Sequence, residues 1–383
     1  MSLYFLLSLA FSLHFLSLLP GSNSLPIIGV TYSAGATLSP PPSDRVSSAV
    51  NSLTLSSLRL IVPDPIIVRS FLYSNTTILL TVPNVLVAPI ASNRSNAVQW
   101  LYTFVVPFFP RAKITTISVG NDLLETSPEL SPFLLPAMRN IHLGLRDLGI
   151  RKIAVSTTFS FVNVITSFFP PSAAQFQEPA YGNVISPMLQ FLRDTNSSFL
   201  INIYPYNVYR MRSEIPIGFA LFQQHPFGFR DDLTTGVRYR NLFDMMVDAV
   251  ICAMAISGHE NIPVVVTETG WPSWSGDGSE VDANPVYAEL YLKGLVKHLR
   301  SGLGTPLRKD GVAETYIFEL FDEEEKPEKS NERRHWGILY PNMTKKFRID
   351  FSGSAMIFGS RGLLELAIGF SLIFALFHGS SLL

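Results

Sequence analysis

Residues 262–270 read IPVVVTETG, an apolar and mostly β-branched run that ends in a carboxylate at Glu268. Runs that are apolar on both faces are typical of strands in a parallel sheet covered by helices. An acid at the end of such a run is costly to bury unless it has a partner or a chemical task. The stretch therefore indicates a buried strand and a candidate functional carboxylate, the alternative being a structural acid paired with a nearby Arg or Lys.

Seven further runs of this character lie elsewhere in the chain. They are IIGVTY (27–32), LSSLRLI (55–61), TILLTVP (77–83), ITTISVG (114–120), KIAVSTT (152–158), FLINIYP (199–205) and TYIFELF (315–321). Stretches with helical periodicity separate them, among them LLPAMRNIHLGLRDLG and NLFDMMVDAVICAMAISG. Eight strands alternating with helices predict an α/β protein with a single-domain (β/α)8 TIM barrel. The alternative is an open doubly wound sheet, but no GxGxxG motif follows an early strand.

The composition narrows the class of ligand. The chain of 383 residues carries 29 basic and 30 acidic side chains, which gives no electrostatic reason to expect nucleic acid or anionic membrane as a partner. Its single cysteine, Cys252, excludes an intramolecular disulfide, and its apolar neighbours argue against a catalytic thiol. The seven histidines have no ligand-like spacing, so we expect no metal site. A neutral ligand fits this composition best.

The N-terminal end is apolar and set apart from the rest. Residues 3–19, LYFLLSLAFSLHFLSLL, precede PGSNS, and the pattern predicts a secretory signal peptide over residues 1–24. An uncleaved membrane anchor is the alternative, although the run is short for a bilayer span of about 20 residues. Four sequons support the secretory route, and their acceptor residues are Asn75, Asn93, Asn196 and Asn342.

The C-terminal end resembles a lipid-anchor signal. Small residues at Ser352, Gly353 and Ser354 are followed by a short spacer and a hydrophobic tail, a pattern that predicts glycosylphosphatidylinositol attachment and removal of residues 352–383. Glu365 lies inside the tail and argues against a permanent membrane span. We expect a mature domain over residues 25–351, monomeric and held on the extracellular face of the plasma membrane beside the cell wall.

Polar residues follow the predicted strands at one end of the barrel, where the active sites of such barrels lie. Asn121 and Asp122 follow the fourth strand, Asn202, Tyr204 and Tyr206 end the sixth, Glu268 ends the seventh, and Glu323 follows the eighth. Two carboxylates that face each other across a cleft are the minimal equipment for glycoside hydrolysis. One protonates the leaving oxygen, and the other attacks the anomeric carbon or activates water.

Several long motifs, in order along the chain, resemble those of plant glycoside hydrolase family 17, the β-1,3-glucanases. They include IGVTYS, SVGN, INIYPY, VVVTETGWPS, YIFELFDEEEKP and ERRHWGILYPN, and the resemblance covers residues 27–348. It implies a (β/α)8 fold and retaining endo-hydrolysis of β-1,3-glucan, a callose-like polymer, without a cofactor.

The resemblance also implies roles for single residues. The nucleophile falls on Glu268, and the proton donor falls on Asp122, where the family normally has glutamate. Supporting roles in orienting the acids or lining the glucan subsites fall on Tyr32, Asn121, Asn202, Tyr204, Trp271, Glu323, Lys326 and Glu332. The chain departs from the family again after the second strand, where Ile61 and Val62 replace an aromatic residue and an acid.

The aspartate at position 122 does not decide whether the protein is an efficient hydrolase. Aspartate withdraws the carboxyl group by one methylene, about 1.5 Å, and a misplacement of about 1 Å can lower a rate on the order of a hundredfold. The backbone can compensate, the enzyme can be slow, or the protein can be a catalytically weak or inactive glucan-binding protein of the cell surface. Glu125 is a poor substitute, because its position three residues further along directs it outward.

Overall fold

The structure is a computed structural model in which residues 26–33, 43–322 and 333–352 are described. The predicted signal peptide lies outside these residues, as do Gly353, Ser354 and the apolar tail behind them. The predicted site residues Glu323, Lys326 and Glu332 also lie outside the described residues.

Twelve strands lie within the described ranges. They are β1 (Ile27–Tyr32), β2 (Ser57–Leu60), β3 (Thr77–Val82), β4 (Lys113–Asn121), β5 (Ala154–Ser160), β6 (Phe199–Asn202), β7 (Arg230–Asp232), β8 (Val237–Tyr239), β9 (Val264–Thr269), β10 (Trp274–Ser275), β11 (Glu314–Ile317) and β12 (Arg334–His335). Eight of them form a closed parallel barrel in the order β1, β2, β3, β4, β5, β6, β9, β11, and β11 pairs back onto β1. The predicted (β/α)8 barrel is confirmed.

Helices cover the outside of the barrel. The longer ones span Ser43–Ser52, Arg94–Phe104, Ser131–Asp147, Ser186–Asp194, Leu242–Ile256 and Pro285–Arg300, and the shorter ones Pro65–Ser70, Val87–Ser92, Leu123–Thr126, Phe161–Val164, Pro205–Met211 and Ile217–Ala220. Asn241 and Asn284 cap two of the long helices by accepting hydrogen bonds from the backbone of Asp244 and Tyr287. No helix in the described part of the chain is long and apolar enough to cross a bilayer.

Several predicted strand runs extend past the observed strands at the barrel mouth, chiefly TYIFELF (315–321), whose strand β11 ends at Ile317, and FLINIYP (199–205). The sixth strand ends at Asn202 because Pro205 begins the helix Pro205–Met211, so Tyr206 lies on that helix and not at a strand end. The fourth strand ends at Asn121, and Asp122 is the residue that precedes the helix Leu123–Thr126. The mouth is therefore formed by strand ends and by the first residues of the segments that follow them.

The barrel interior is closed beneath the mouth. Leu79, Leu200, Val265 and Tyr316 form a small buried cluster separate from the large core between strands and helices. The hydroxyl of Tyr316 lies 2.8 Å from that of Ser57 and donates to Glu314 at the N-terminal end of β11. Side chains thus fill the barrel interior, and the polar residues at the C-terminal ends of the strands face the opening.

Candidate active site

Glu268 reaches the mouth because β9 is irregular beside it. Thr315 of β11 pairs with Val266, but Ile317 pairs with Thr269, so three residues of β9 oppose two of β11. The hydroxyl of Thr269 bonds to Tyr291 of an outer helix, whereas Glu268 turns inward. A bulge of this kind re-aims a side chain that strict alternation would place on the other face.

Two donors hold the Glu268 carboxylate. Arg59 Nη1 donates to Oε1 at 2.5 Å, and the hydroxyl of Tyr204 donates to Oε2 at 2.7 Å. Arg59 is fully buried on β2, and Glu268 is only 4% exposed. Burial and the nearby Glu268 charge raise the pKa of Tyr204 well above its ordinary value, so the phenol remains a proton donor. Both contacts stabilise the ionised form of Glu268, as expected for a nucleophile.

Asp122 occupies an unusual backbone conformation after a second irregular strand. The pairing of β4 with β5 shifts between Ser118 and Asn121, and Gly120 within that interval has φ +77°. Asp122 itself has φ +46°, a left-handed conformation that aspartate tolerates better than most residues. The short carboxyl group is therefore aimed by the backbone as well as by its side-chain torsions.

The surroundings of the Asp122 carboxyl favour its protonated form, whereas those of Glu268 favour the charged form. Its Oδ2 accepts a hydrogen bond from Asn202 Nδ2 at 2.8 Å, while its buried Oδ1 has no hydrogen-bond partner among the described residues. Burial, and after it the negative charge of Glu268, raise the pKa of Asp122 to about 7, and the Asn202 bond opposes the rise. Near neutral pH the group retains a proton for a large part of the time, as a general acid requires.

A polar network joins the two carboxyl groups. The second guanidinium nitrogen of Arg59, Nη2, donates to Asn121 Oδ1 at 2.6 Å, next to Asp122. Asn202 donates to Asp122 and accepts from the hydroxyl of Thr267 at 2.8 Å, next to Glu268. The connection between the acids therefore runs from Glu268 through Arg59, Asn121 and Asn202 to Asp122.

Of the other predicted site residues, Tyr32 lies at the mouth and Trp271 packs away from it. Tyr32 lies near the mouth with its ring edge-on to Phe321 at 6.1 Å, and burial together with Asp64 and Glu319 raises its pKa to about 12. Trp271 is 2% exposed; its ring nitrogen donates to the carbonyl of Asp282. It packs in a cluster with Tyr206, Tyr209 and Tyr291, and we therefore assign Trp271 to packing and not to sugar contact.

Sequence reasoning missed three residues of the mouth. Arg59 is the first, although a charged residue inside the strand SLRL is a usable signal, because an unpaired buried charge is costly. Trp336 packs edge-on against Tyr204 with ring centres 5.1 Å apart, and Glu319 is buried close to Tyr32. Among the described residues no group of His, Cys, Asp and Glu is arranged to hold a metal ion.

Two carboxyl groups at the C-terminal ends of the barrel strands, one ion-paired and one with a pKa raised to about 7, are the arrangement that glycoside hydrolysis uses. The sequence profile of glycosyl hydrolases family 17 matches residues 28–351, and the chain belongs to that family. The family predicted from the sequence motifs is confirmed.

Curated relatives support the assignment. Glucan endo-1,3-beta-glucosidase 7 of Arabidopsis thaliana is 39% identical over 353 residues, covering 91% of this chain and 68% of the relative. Glucan endo-1,3-beta-glucosidase 12 of the same plant is 35% identical, covering 85% of this chain and 60% of the relative. The chain thus spans about two thirds of the length of these relatives.

Solved structures are similar along nearly their whole length. CJP38, a beta-1,3-glucanase and allergen of Cryptomeria japonica pollen, has a TM-score of 0.78 at 35% identity and covers 85% of this chain and 99% of its own. One of two plant beta-glucan endohydrolases with distinct substrate specificities has a TM-score of 0.75 at 32% identity, covering 84% and 100%.

Proposed function

We propose that the protein hydrolyses internal β-1,3-glucosidic bonds of a callose-like β-1,3-glucan and retains the anomeric configuration. The observation that carries this proposal is the contrast between the two carboxyl groups, since Arg59 and Tyr204 stabilise charge on Glu268 while burial favours the proton on Asp122. The names of the relatives, glucan endo-1,3-beta-glucosidases, support the choice of substrate.

The first chemical step breaks the glycosidic bond. Asp122 gives its proton to the glycosidic oxygen while Glu268 attacks the anomeric carbon, so the bond between that carbon and the leaving oxygen breaks and a glycosyl ester of Glu268 forms. The departing chain leaves with the proton as an alcohol. In this ester Glu268 no longer carries the negative charge that Arg59 and Tyr204 stabilise in the free enzyme.

The second step restores the enzyme. The ionised Asp122 takes a proton from water, the water oxygen bonds to the anomeric carbon, and the ester to Glu268 breaks. While Glu268 is esterified, it no longer raises the pKa of Asp122 by its charge. Asp122 is therefore a stronger acid in the intermediate, which favours the ionised form that a general base needs.

The short acid at position 122 is compatible with this role. The left-handed backbone of Asp122 and its bond to Asn202 direct the carboxyl toward the mouth, and the charge of Glu268 is the second-largest cause of its raised pKa. Asn202, which donates to Asp122, pairs in the sheet with Glu268, so the two acids lie at neighbouring positions of the mouth.

The second candidate is a glucan-binding protein with weak or no catalysis. The substitutions at Asp122, Ile61 and Val62 favour it, and Val62 is 39% exposed where the family has a polar group. Hydrolysis of linear β-1,3-glucan by the secreted domain separates the two candidates. Binding without hydrolysis, together with a gain of activity in Asp122→Glu, would support the binding protein.

The pH dependence of kcat/KM provides a prediction. Asp122 must be protonated to donate, and its pKa is raised to about 7, so kcat/KM for glucan should fall as pH rises through about 7. Asp248 is a matched control, because burial raises the pKa of this carboxyl in the helix Leu242–Ile256 to about 7 as well. Asp248→Asn should keep the alkaline fall, and its loss in that variant would assign the titration to Asp248.

We also propose that the protein is secreted and held by a glycosylphosphatidylinositol anchor on the cell surface beside the wall. The sequence pattern at Ser352, Gly353 and Ser354 supports the anchor, and the exposure of Asn75, Asn93, Asn196 and Asn342 supports glycosylation. Phosphatidylinositol-specific phospholipase C should release the protein from intact cells, and peptide N-glycosidase should lower its apparent mass. Retention after the lipase would contradict the anchor.

A further inference from the structure

Asn84 connects the segment after β3 to the irregular end of β4. Its side-chain Oδ1 accepts from the backbone N–H of Asn121 at 2.9 Å, and its Nδ2 donates to the Asn121 carbonyl at 3.0 Å. The same Nδ2 also donates to the hydroxyl of Thr126 at 2.9 Å, in the short helix that follows Asp122. One side chain therefore holds the backbone of Asn121 before Asp122 and the side chain of Thr126 after it.

The end of β4 has lost its strand partner on the side of β3, whereas β5 still pairs with it at Asn121. Regular pairing of β3 with β4 stops at Val82 and Val119, two residues before β4 itself ends at Asn121. The Asn84 amide takes the place of the missing peptide group, accepting and donating as a backbone would. Gly120 and Asp122 are both left-handed, and a Cβ on Gly120 would lie 3.1 Å from Asn84 Oδ1.

We propose that Asn84 is a positioning residue for the general acid, holding the Asn121 peptide so that Asp122 leaves β4 in the left-handed conformation that aims its carboxyl at the bond being cut. The inference rests on the proposed function. Aspartate has one methylene less than glutamate with which to correct an error in backbone direction. A displacement of about 1 Å at the carboxyl lowers a rate on the order of a hundredfold.

Asn84 acts through its neighbours and not on the sugar. Both ends of its amide are engaged by Asn121, and Asn121 in turn accepts from Arg59, the partner of Glu268. The backbone N–H of Asp122 itself donates to the Thr158 carbonyl of β5 at 3.1 Å, which is a second contact that fixes this segment. Loss of Asn84 removes the restraint on the Asn121 peptide that precedes Asp122, and leaves the bonds that Asp122 itself makes to Thr158 and Asn202.

The kinetic test compares Asn84→Ala with a control of the same chemistry elsewhere. Asn140 also bridges backbone groups, donating to the carbonyls of Ile90 and Ala91 at 2.8 and 3.1 Å between two outer helices. We expect Asn84→Ala to lower kcat for β-1,3-glucan by about 10- to 100-fold with KM changed less than about threefold. Its kcat/KM should fall far less for an aryl β-glycoside of a β-1,3-linked glucose oligomer whose phenolic leaving group needs no proton. Asn140→Ala should retain kcat on both substrates.

A second measurement tests the inference even if the protein does not hydrolyse glucan. Carbon-detected NMR of aspartate carboxyl groups, with the Asp122 signal assigned by Asp122→Asn, gives the pKa of Asp122 directly. A loosened Asp122 gains water, so its pKa should fall toward the ordinary value in Asn84→Ala and stay unchanged in Asn140→Ala. An unchanged Asp122 pKa in Asn84→Ala, or an equal loss of kcat/KM on both substrates, would overturn the positioning role. An inactive wild type with the pKa shift present would overturn only the proposed hydrolysis.

Discussion

Glu268→Gln is expected to abolish hydrolysis of linear β-1,3-glucan, lowering kcat by about 10⁴-fold or more. The amide is a poor nucleophile and cannot form the glycosyl ester on which the two-step reaction depends. It also leaves the buried Arg59 without its carboxylate partner, which is 2.5 Å away in the wild type. Release of reducing ends from the glucan measures the loss, and circular dichroism checks that the variant is folded.

Glu314→Gln is the matched control for this variant. Glu314 is a carboxylate of the same barrel, at the N-terminal end of β11, where the Tyr316 hydroxyl donates to it at 2.5 Å. Because that end of the barrel is remote from the mouth, the control should keep wild-type kcat within a few-fold. Activity retained in Glu268→Gln, or lost equally in Glu314→Gln, would contradict the assignment of the nucleophile.

The second large effect is expected at Asp122. Asp122→Asn should lower kcat/KM for glucan by about 10²- to 10⁴-fold, because asparagine cannot protonate the leaving oxygen. For an aryl β-glycoside of a β-1,3-linked glucose oligomer, whose phenolic leaving group departs without a proton, kcat/KM should fall far less. The fall in kcat/KM at high pH should also disappear, since the group whose pKa is about 7 is absent.

Glu125→Gln distinguishes Asp122 from its acidic neighbour. Glu125 is exposed, and its Oε2 accepts a hydrogen bond from Asn163 at 2.7 Å, away from Asn202 and Glu268. The variant should keep near wild-type kcat/KM, as the outward direction predicted from the sequence implies. If Glu125→Gln lost activity and Asp122→Asn kept it, the general acid would be Glu125.

The fold followed from sequence because the barrel repeats one pattern. Each buried strand is an apolar run, and the observed strands lie within a few residues of the predicted ones, as for β1 at Ile27–Tyr32 and β9 at Val264–Thr269. The ends of the runs marked the mouth, and Asn121, Asp122, Asn202, Tyr204 and Glu268 do converge there. A strand end is predictable because the chemistry of its residues changes abruptly at that point.

The remainder of the site depends on contacts between residues far apart in the chain. Arg59 meets Glu268 across 209 positions, and nothing near Arg59 in the sequence identifies that partner. The bulges in β4 and β9 decide which way the acids point, and they depend on the register with neighbouring strands. Trp271 follows Glu268 closely in sequence but packs behind the site, because the chain turns after β9.

The anomeric configuration of the first products distinguishes a covalent intermediate on Glu268 from direct attack by water. Proton NMR of a linear β-1,3-glucan during the first minutes of hydrolysis by residues 25–351 distinguishes the anomers before mutarotation mixes them. We expect new reducing ends in the β configuration, because Glu268 forms and then releases an ester on one face of the sugar. New ends in the α configuration, or no hydrolysis at all, would contradict this expectation.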